Sequence, residues 1–396
     1  MNKAVNKPHA GTRAGHELSS VPRATLVTNS AGMEQFMEAA RGEPIIAVDT
    51  ESNSLFAYYP RICLIQISFP GADYVIDPLV VDVDPLDEIF ADPACQKIFH
   101  AAENDILGLK RDFGFSFTNI FDTMMAARIL GWQHAGLAAI LENLYGVTLN
   151  KKMQRTNWGK RPLDAQQLSY AQLDTVFLLD LKEKQEVELR QRGRFEEAQE
   201  SFDRLPDLEY QSKDFDPDGF WSVPGARDLS PKELAVLREL YIFRDQQASH
   251  EDRPPFKIFD NRAMIRVAST QPNTQSELDK KARLAPSIVR RYGPDILNAV
   301  NRGKNAPLPV FKRTRNSNGR PDPKVSTRYN ALRKWRTSRA HERGVDPDVV
   351  LTNDQLMVIA RERPGNLQEL AAIGAIGTWK VQEYGTDILA LLDRMD

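Results

Sequence analysis

The sequence predicts an α/β domain followed by two copies of a small all-α domain. Three observations carry this expectation. Short β-branched apolar runs come first, helical periodicity takes over after them, and the C-terminal part of the chain repeats itself at a fixed offset of 92 residues. At 396 residues the chain exceeds what a single hydrophobic core usually serves, so several domains are expected.

The runs at 45–48, 62–69 and 74–76 are punctuated by Gly, Pro and Asp and read as strands. A further run at 97–100 precedes 103–113, where Ile106, Leu107 and Leu109 fit one helical face. Asp122 then opens a helix through Leu130, and a long helix from Asp164 to about Arg190 closes the domain. Strands followed by alternating helices define an α/β domain over 24–205. The stretch 206–227 is rich in Asp, Gly and Pro and reads as a linker.

Beyond the linker every strong signal is helical. Ten identities, from Asn261 and Asn353 to Leu297 and Leu389, keep the offset of 92 without a break. They mark two copies of one unit of about 75 residues, at 228–303 and 325–396, because a solenoid would repeat every 20 to 50 residues. Pro and Gly recur at the same places in both copies, which suggests shared helix ends and turns.

Charge is segregated, although the net value of −2 is close to neutral. From Arg302 to Arg343 there are 13 Lys or Arg against only Asp322 and Glu342, and 304–324 reads as a basic linker. Such a tract is either a solvated linker and helix face or a contact to a nucleic-acid backbone, where each neutralised phosphate releases a counterion. Only Cys63 and Cys95 are present, too few for a disulfide framework or a Cys-rich zinc site, and a reducing cytoplasm is expected. No apolar run approaches the roughly 18 residues of a membrane span. Residues 1–23 are polar and basic, with Glu17 as their one acid, and read as a flexible tail. A secretory signal needs a hydrophobic stretch that is missing there; few Ser and no helical periodicity also count against a transit peptide.

Three groups of residues could carry chemistry. Asp49 and Glu51 follow the run Ile45-Ile46-Ala47-Val48, and residues two apart on an extended chain face the same way. Two such carboxylates repel unless protons or a cation intervene; the competing reading is a strand meeting a polar turn. Asp105 lies where a strand ends and a helix starts, a place where an acid also serves as a helix cap, with Glu103 as a first-turn acid beside it. Tyr170 and Asp174 are four apart on a helix and share a face, although a core tyrosine with an exposed acid would show the same spacing.

Taken in order, Asp-x-Glu, a later Asp and a Tyr-x-x-x-Asp resemble the exonuclease family named for four acids and a tyrosine, the DEDDy group. The segments Pro60–Ile67 and Trp158–Leu163 are similar to the ribonuclease D branch, apart from Asn157, where that branch often carries an acid. Residues 228–303 and 325–396 each resemble the helical domain of helicases and ribonuclease D, called HRDC. The resemblance implies a ribonuclease-H-like mixed sheet flanked by helices. It also implies that Asp49, Glu51, Asp105 and Asp174 hold two divalent cations while Tyr170 orients the attacking water. Oxygen ligands without Cys or paired His favour Mg2+ or Mn2+ over zinc. Asp49 is expected to bridge the ions, Glu51 and Asp174 to serve the nucleophile side, and Asp105 to complete the other.

The implied activity is 3′-5′ exoribonuclease, releasing nucleoside 5′-monophosphates from RNA with a free 3′ end, tRNA precursors foremost. A 3′-5′ DNA exonuclease is the alternative, since only contacts to the 2′-hydroxyl discriminate; a non-catalytic RNA-binding adaptor would have lost motif residues that are all present. Lys152, Lys160 and Arg161 are candidate phosphate contacts, and Trp158 is either a base-stacking surface or a core residue. The Gly374-Ala375-Ile376-Gly377 turn could offer amides to a phosphate or simply join two helices. His100 is read as a packed polar residue, with catalysis the lesser reading.

Overall fold

In the computed structural model, residues 23–212, 214–310 and 322–395 are described. Residues 1–22 of the tail expected at 1–23 and the middle of the basic linker lie outside the described residues. Six strands, β1 (Thr25–Val27), β2 (Ile45–Ser52), β3 (Ile62–Phe69), β4 (Ala72–Ile76), β5 (Gln96–Phe99) and β6 (Ile120–Asp122), form one mixed sheet in the order β1-β4-β3-β2-β5-β6. β2 runs antiparallel to β3 and parallel to β5, so the acids of β2 lie at the centre of the sheet. Helices α1 (Ser30–Ala40), α2 (Leu86–Ala91), α3 (Glu103–Phe113), α4 (Thr123–Leu130), α5 (Leu137–Tyr145), α6 (Ala165–Leu173), α7 (Leu178–Gln191) and α8 (Phe195–Phe202) complete the domain. One apolar cluster packs α1, α2 and α3 against the sheet, and others carry α4 to α8.

Two expectations are corrected here. β2 does not stop at Val48 but continues through both acids to Ser52, because β3 supplies ladder partners as far as Ile62 opposite Ser52, past a register shift after Glu51. The long helix from Asp164 is broken at 174–177 into α6 and α7. The Thr175 hydroxyl bonds the Gln172 carbonyl and lies 2.7 Å from Ser68 Oγ on β3, and these contacts draw the chain out of the helix and onto the sheet.

The first helical unit contains α9 (Pro231–His250), α10 (Pro255–Ile258), α11 (Asn261–Thr270), α12 (Gln275–Lys280) and α13 (Pro286–Asn305). The second contains α14 (Pro323–Arg343), α15 (Pro347–Val350), α16 (Asn353–Glu362), α17 (Leu367–Ala372) and α18 (Thr378–Asp393). Each helix of the second starts 92 residues after its counterpart, as the repeat requires. Even the left-handed residues that end α11 and α16, Gln271 and Arg363, obey the offset. The expected linker is partly built into the fold: Phe220, in the 3-10 turn Pro217–Ser222, is fully buried in the first unit's core, since an aromatic ring there covers apolar surface of α9.

Both helical units touch the nuclease domain. The Tyr58 hydroxyl donates to Asp245 at 2.8 Å, and the Tyr58 and Tyr59 amides donate to Asp252, which ties the loop after β2 to the first unit. On another side Arg343 pairs with the fully buried Glu197 of α8, and Arg128 with Asp348, which seat the second unit.

Candidate active site

β2 brings Asp49 and Glu51 to one face of the sheet, and the start of the 174–177 turn brings Asp174 over them. One oxygen from each of these three carboxylates lies within 4.8 Å of the others. Asp105 stands beside this group on the first turn of α3, its carboxylate accepting a 2.5 Å bond from the Thr50 hydroxyl. The turn bearing Asp174 is fixed by Thr175 on Ser68 and by Gln172, whose amide donates to Asp73 on β4 at 2.9 Å.

Protein packed around these acids displaces water, and that withdrawal is the main reason their carboxyl groups bind protons unusually well. Burial, then repulsion from Asp105, Asp174 and Glu51, holds Asp49 well above the ordinary carboxyl range. Burial followed by Asp174 and Asp105 pushes Glu51 up to about 9. Burial raises Asp174 to about 8, opposed by a hydrogen bond from Tyr170. Asp105 is raised to about 7, again chiefly by burial, with the Thr50 bond acting against it. Such a group is adapted to a bound cation, which supplies the missing counter-charge and releases the protons. Its donors are all carboxylate oxygens, the set that suits a hard divalent ion.

Tyr170, buried and packed against Trp158 with ring centroids 6.3 Å apart, sits at this cluster. Burial, then the charges of Asp174 and Glu51, raises its phenol, which therefore stays protonated and can donate a hydrogen bond. Gln154, on the 3-10 turn Met153–Arg155, bonds this phenol and was not singled out from sequence. Thr50 was also missed, because an alternating strand pattern gives no sign of a contact with a helix 55 residues on.

Among the tentative contacts, Lys152 and Lys160 are exposed. Two expectations fail. Trp158 is only 1% exposed, so its ring faces pack in the core and cannot stack on a base. Arg161 is engaged internally, forked onto Asp77 at 2.5 and 2.7 Å and donating to the Trp158 and Cys63 carbonyls, which leaves it a clamp between segments. His100 is the packed polar residue expected: its Nδ1 lies 2.9 Å from Thr123 Oγ1, and burial lowers it to about 4. The Gly374–Gly377 turn leads into α18, whose first-turn Trp379 and Lys380 amides, not those of the turn, donate to Glu200 of α8 at 2.5 and 3.4 Å.

Residues 24–190 match the family model described as 3′-5′ exonuclease, and 233–300 and 326–392 each match the HRDC domain. Fold and acid cluster thus belong to a 3′-5′ exonuclease with two HRDC domains. Ribonuclease D of Nitrobacter hamburgensis is 29% identical over 374 residues, covering 92% of this chain and 94% of the relative. Ribonuclease D of Granulibacter bethesdensis is 27% identical over 381 residues, covering 94% and 93%. The catalytic core of RRP6 from Trypanosoma brucei superposes with a TM-score of 0.66 at 28% identity, covering 74% of this chain and 82% of that one. Escherichia coli RNase D shares the fold, with a TM-score of 0.64 at 24% identity over 94% of this chain and 99% of that one. The chain belongs to the ribonuclease D family: it is a hydrolase, a metal-dependent 3′-5′ exoribonuclease acting on RNA. No described helix is long and apolar enough to cross a membrane.

Proposed function

We propose that this exoribonuclease trims the 3′ ends of small structured RNAs, tRNA precursors among them, in the cytoplasm, using two Mg2+ or Mn2+ ions held by Asp49, Glu51, Asp105 and Asp174. The observation that carries the reading is the convergence of Asp174 from a distant segment onto Asp49 and Glu51 of β2, with one oxygen of each carboxylate within 4.8 Å of the others. When bound, the cations supply Lewis acidity, making water nucleophilic near neutral pH and offsetting charge on the phosphate and leaving oxygen. Asp49 and Glu51 hold from the sheet, Asp174 from the turn above it, and Asp105 from α3. Tyr170, whose hydroxyl donates to Asp174 in the absence of cations, would turn that bond to the water and orient it for attack. It is not a base, because its pKa is raised rather than lowered.

The two HRDC domains support a structured substrate. Both are docked on the nuclease domain, one at the loop after β2 and one at α8, so they offer further surface around a fixed site. Exposed Lys152 and Lys160 add positive charge for the RNA strand. The domain limits 24–205, 228–303 and 325–396 follow from the same reading.

The test is digestion of a 5′-labelled tRNA precursor with a 3′ extension, beside an unstructured RNA and a matched DNA, in Mg2+. Stepwise shortening that ends near the mature 3′ terminus, lost in EDTA and in Asp49→Asn, is expected. An untouched 3′ extension alongside degraded unstructured RNA would remove the structured-RNA assignment, and EDTA-resistant digestion would remove the metal site.

A further inference from the structure

Asp105 reaches the acid cluster only because the chain turns sharply between β5 and α3, and that turn is unusual. Ala101 adopts φ +67°, a left-handed conformation that an L side chain disfavours, and Ala102, which caps α3, has no side chain that can satisfy a free amide. What holds the turn comes from the neighbouring strand. Asp122 ends β6, pairs in the ladder with Phe99 and is 1% exposed. Its Oδ1 accepts from the Met124 and Met125 amides at 2.8 and 3.0 Å, which caps α4. The same oxygen accepts from the Ala101 amide at 3.1 Å, and Oδ2 accepts from the Ala102 amide at 2.9 Å.

We propose that Asp122, which the mechanism does not use, is a positioning residue for Asp105: its carboxylate clamps the strained β5–α3 turn and so sets where the first turn of α3 presents Asp105 to the cations. The inference rests on the proposed role of Asp105 in the site. Capping α4 does not explain the residue, because an asparagine caps a helix about as well as an aspartate. The second oxygen is the distinguishing feature. Among the described residues it accepts from the Ala102 amide alone, and that amide lies at the start of α3, not of α4.

Asp122→Asn is therefore a selective probe. The amide oxygen can keep the Oδ1 bonds, while its NH2 group meets the Ala102 N–H as a second donor and the clamp opens. In the full chain, calorimetric titration of Mn2+ into Asp122→Asn should show affinity weakened by about 10- to 100-fold, the range found when a group orienting a metal ligand is removed. At saturating Mn2+ the KM for RNA should change less than about twofold while kcat falls, since RNA contacts are untouched. Adding Ala101→Gly should recover most of the lost affinity, because glycine accepts φ +67° without a clamp. Wild-type Mn2+ affinity in folded Asp122→Asn would overturn the proposal, and so would failure of Ala101→Gly to restore it. Should Asp122→Asn not fold, Ala101→Val loads the same turn without altering the carboxylate, and an unchanged Mn2+ affinity there would be equally fatal. Asp105→Asn is measured alongside. Full activity in that variant would defeat the four-acid reading itself, whereas its inactivity beside a wild-type-like Asp122→Asn would remove only the positioning role.

Discussion

Tyr170 and the four acids work at the scale of single protons and hydrogen bonds. Tyr170→Phe keeps the ring on Trp158 and removes only the hydroxyl, so kcat should fall on the order of 10²-fold with little change in melting temperature. Single-turnover digestion of a short RNA checks this, and a rate within a few-fold of wild type would leave the phenol no orienting role. The acids give a second prediction. Their values in the fold lie above the ordinary carboxyl range, so the metal-free fold holds protons that the unfolded chain has released. The sign follows: stability without metal falls as pH rises from about 4, the unfolded value, through about 9, the raised value of Glu51. Cations replace those protons, and their stabilising increment should grow over the same window. Melting curves in EDTA and in Mg2+ at about pH 6 and about pH 9 would show it; an increment no larger at the higher pH would contradict the repulsive cluster.

At the scale of elements, close approach decides what is tolerated. α13 crosses α9 at Gly303, where an added Cβ would lie 2.4 Å from the Val236 Cα. Backbone cannot yield as a flexible side chain can, so Gly303→Ala should destabilise the first HRDC domain by about 1–3 kcal/mol. Urea unfolding of the full chain, followed by circular dichroism, should show an earlier helical transition, and an unmoved one would argue against this crossing. Sequence reading succeeded where an element announces its own ends. α3 spans Glu103–Phe113 as expected, and Asp122 and Asp164 cap α4 and α6 as read. It missed β1 and β6, which at three residues each are too short to show a period, and it ran α6 into α7, since no Pro or Gly marks the break. That break comes from Thr175 meeting Ser68, 107 residues away, a contact no local pattern encodes. The site divides the same way. The order and spacing of the acids were visible, but the tie between Thr50 and Asp105 and the internal engagement of Arg161 depend on segments that meet only in the fold.

For the whole molecule, the two HRDC domains are copies with different duties, and one position shows how they diverged. Glu251 in the first and Arg343 in the second lie 92 residues apart, each beside the tyrosine at the matching place, Tyr292 or Tyr384. Glu251 is satisfied within its own domain by Arg253, Arg291 and Tyr292. Arg343 instead reaches the nuclease domain and forks onto Glu197, which is 0% exposed, while Glu200 of the same helix accepts from the Trp379 amide at the start of α18. Removing one partner of a buried pair leaves the other charge unpaired, at a cost of about 3–5 kcal/mol, whereas replacing both with apolar groups is often neutral. Arg343→Met should therefore undock the second HRDC domain, and Arg343→Met with Glu197→Leu should largely restore docking. Small-angle scattering would register the loosened single variant as a larger radius of gyration and the double variant as close to wild type. Because the acids sit in a separate part of the fold, Arg343→Met should digest a short unstructured RNA within about twofold of the wild-type rate yet trim a folded precursor markedly more slowly. Equal losses on both RNAs would instead mean that the docked domain supports the catalytic fold, and that grip on a structured RNA is not its contribution.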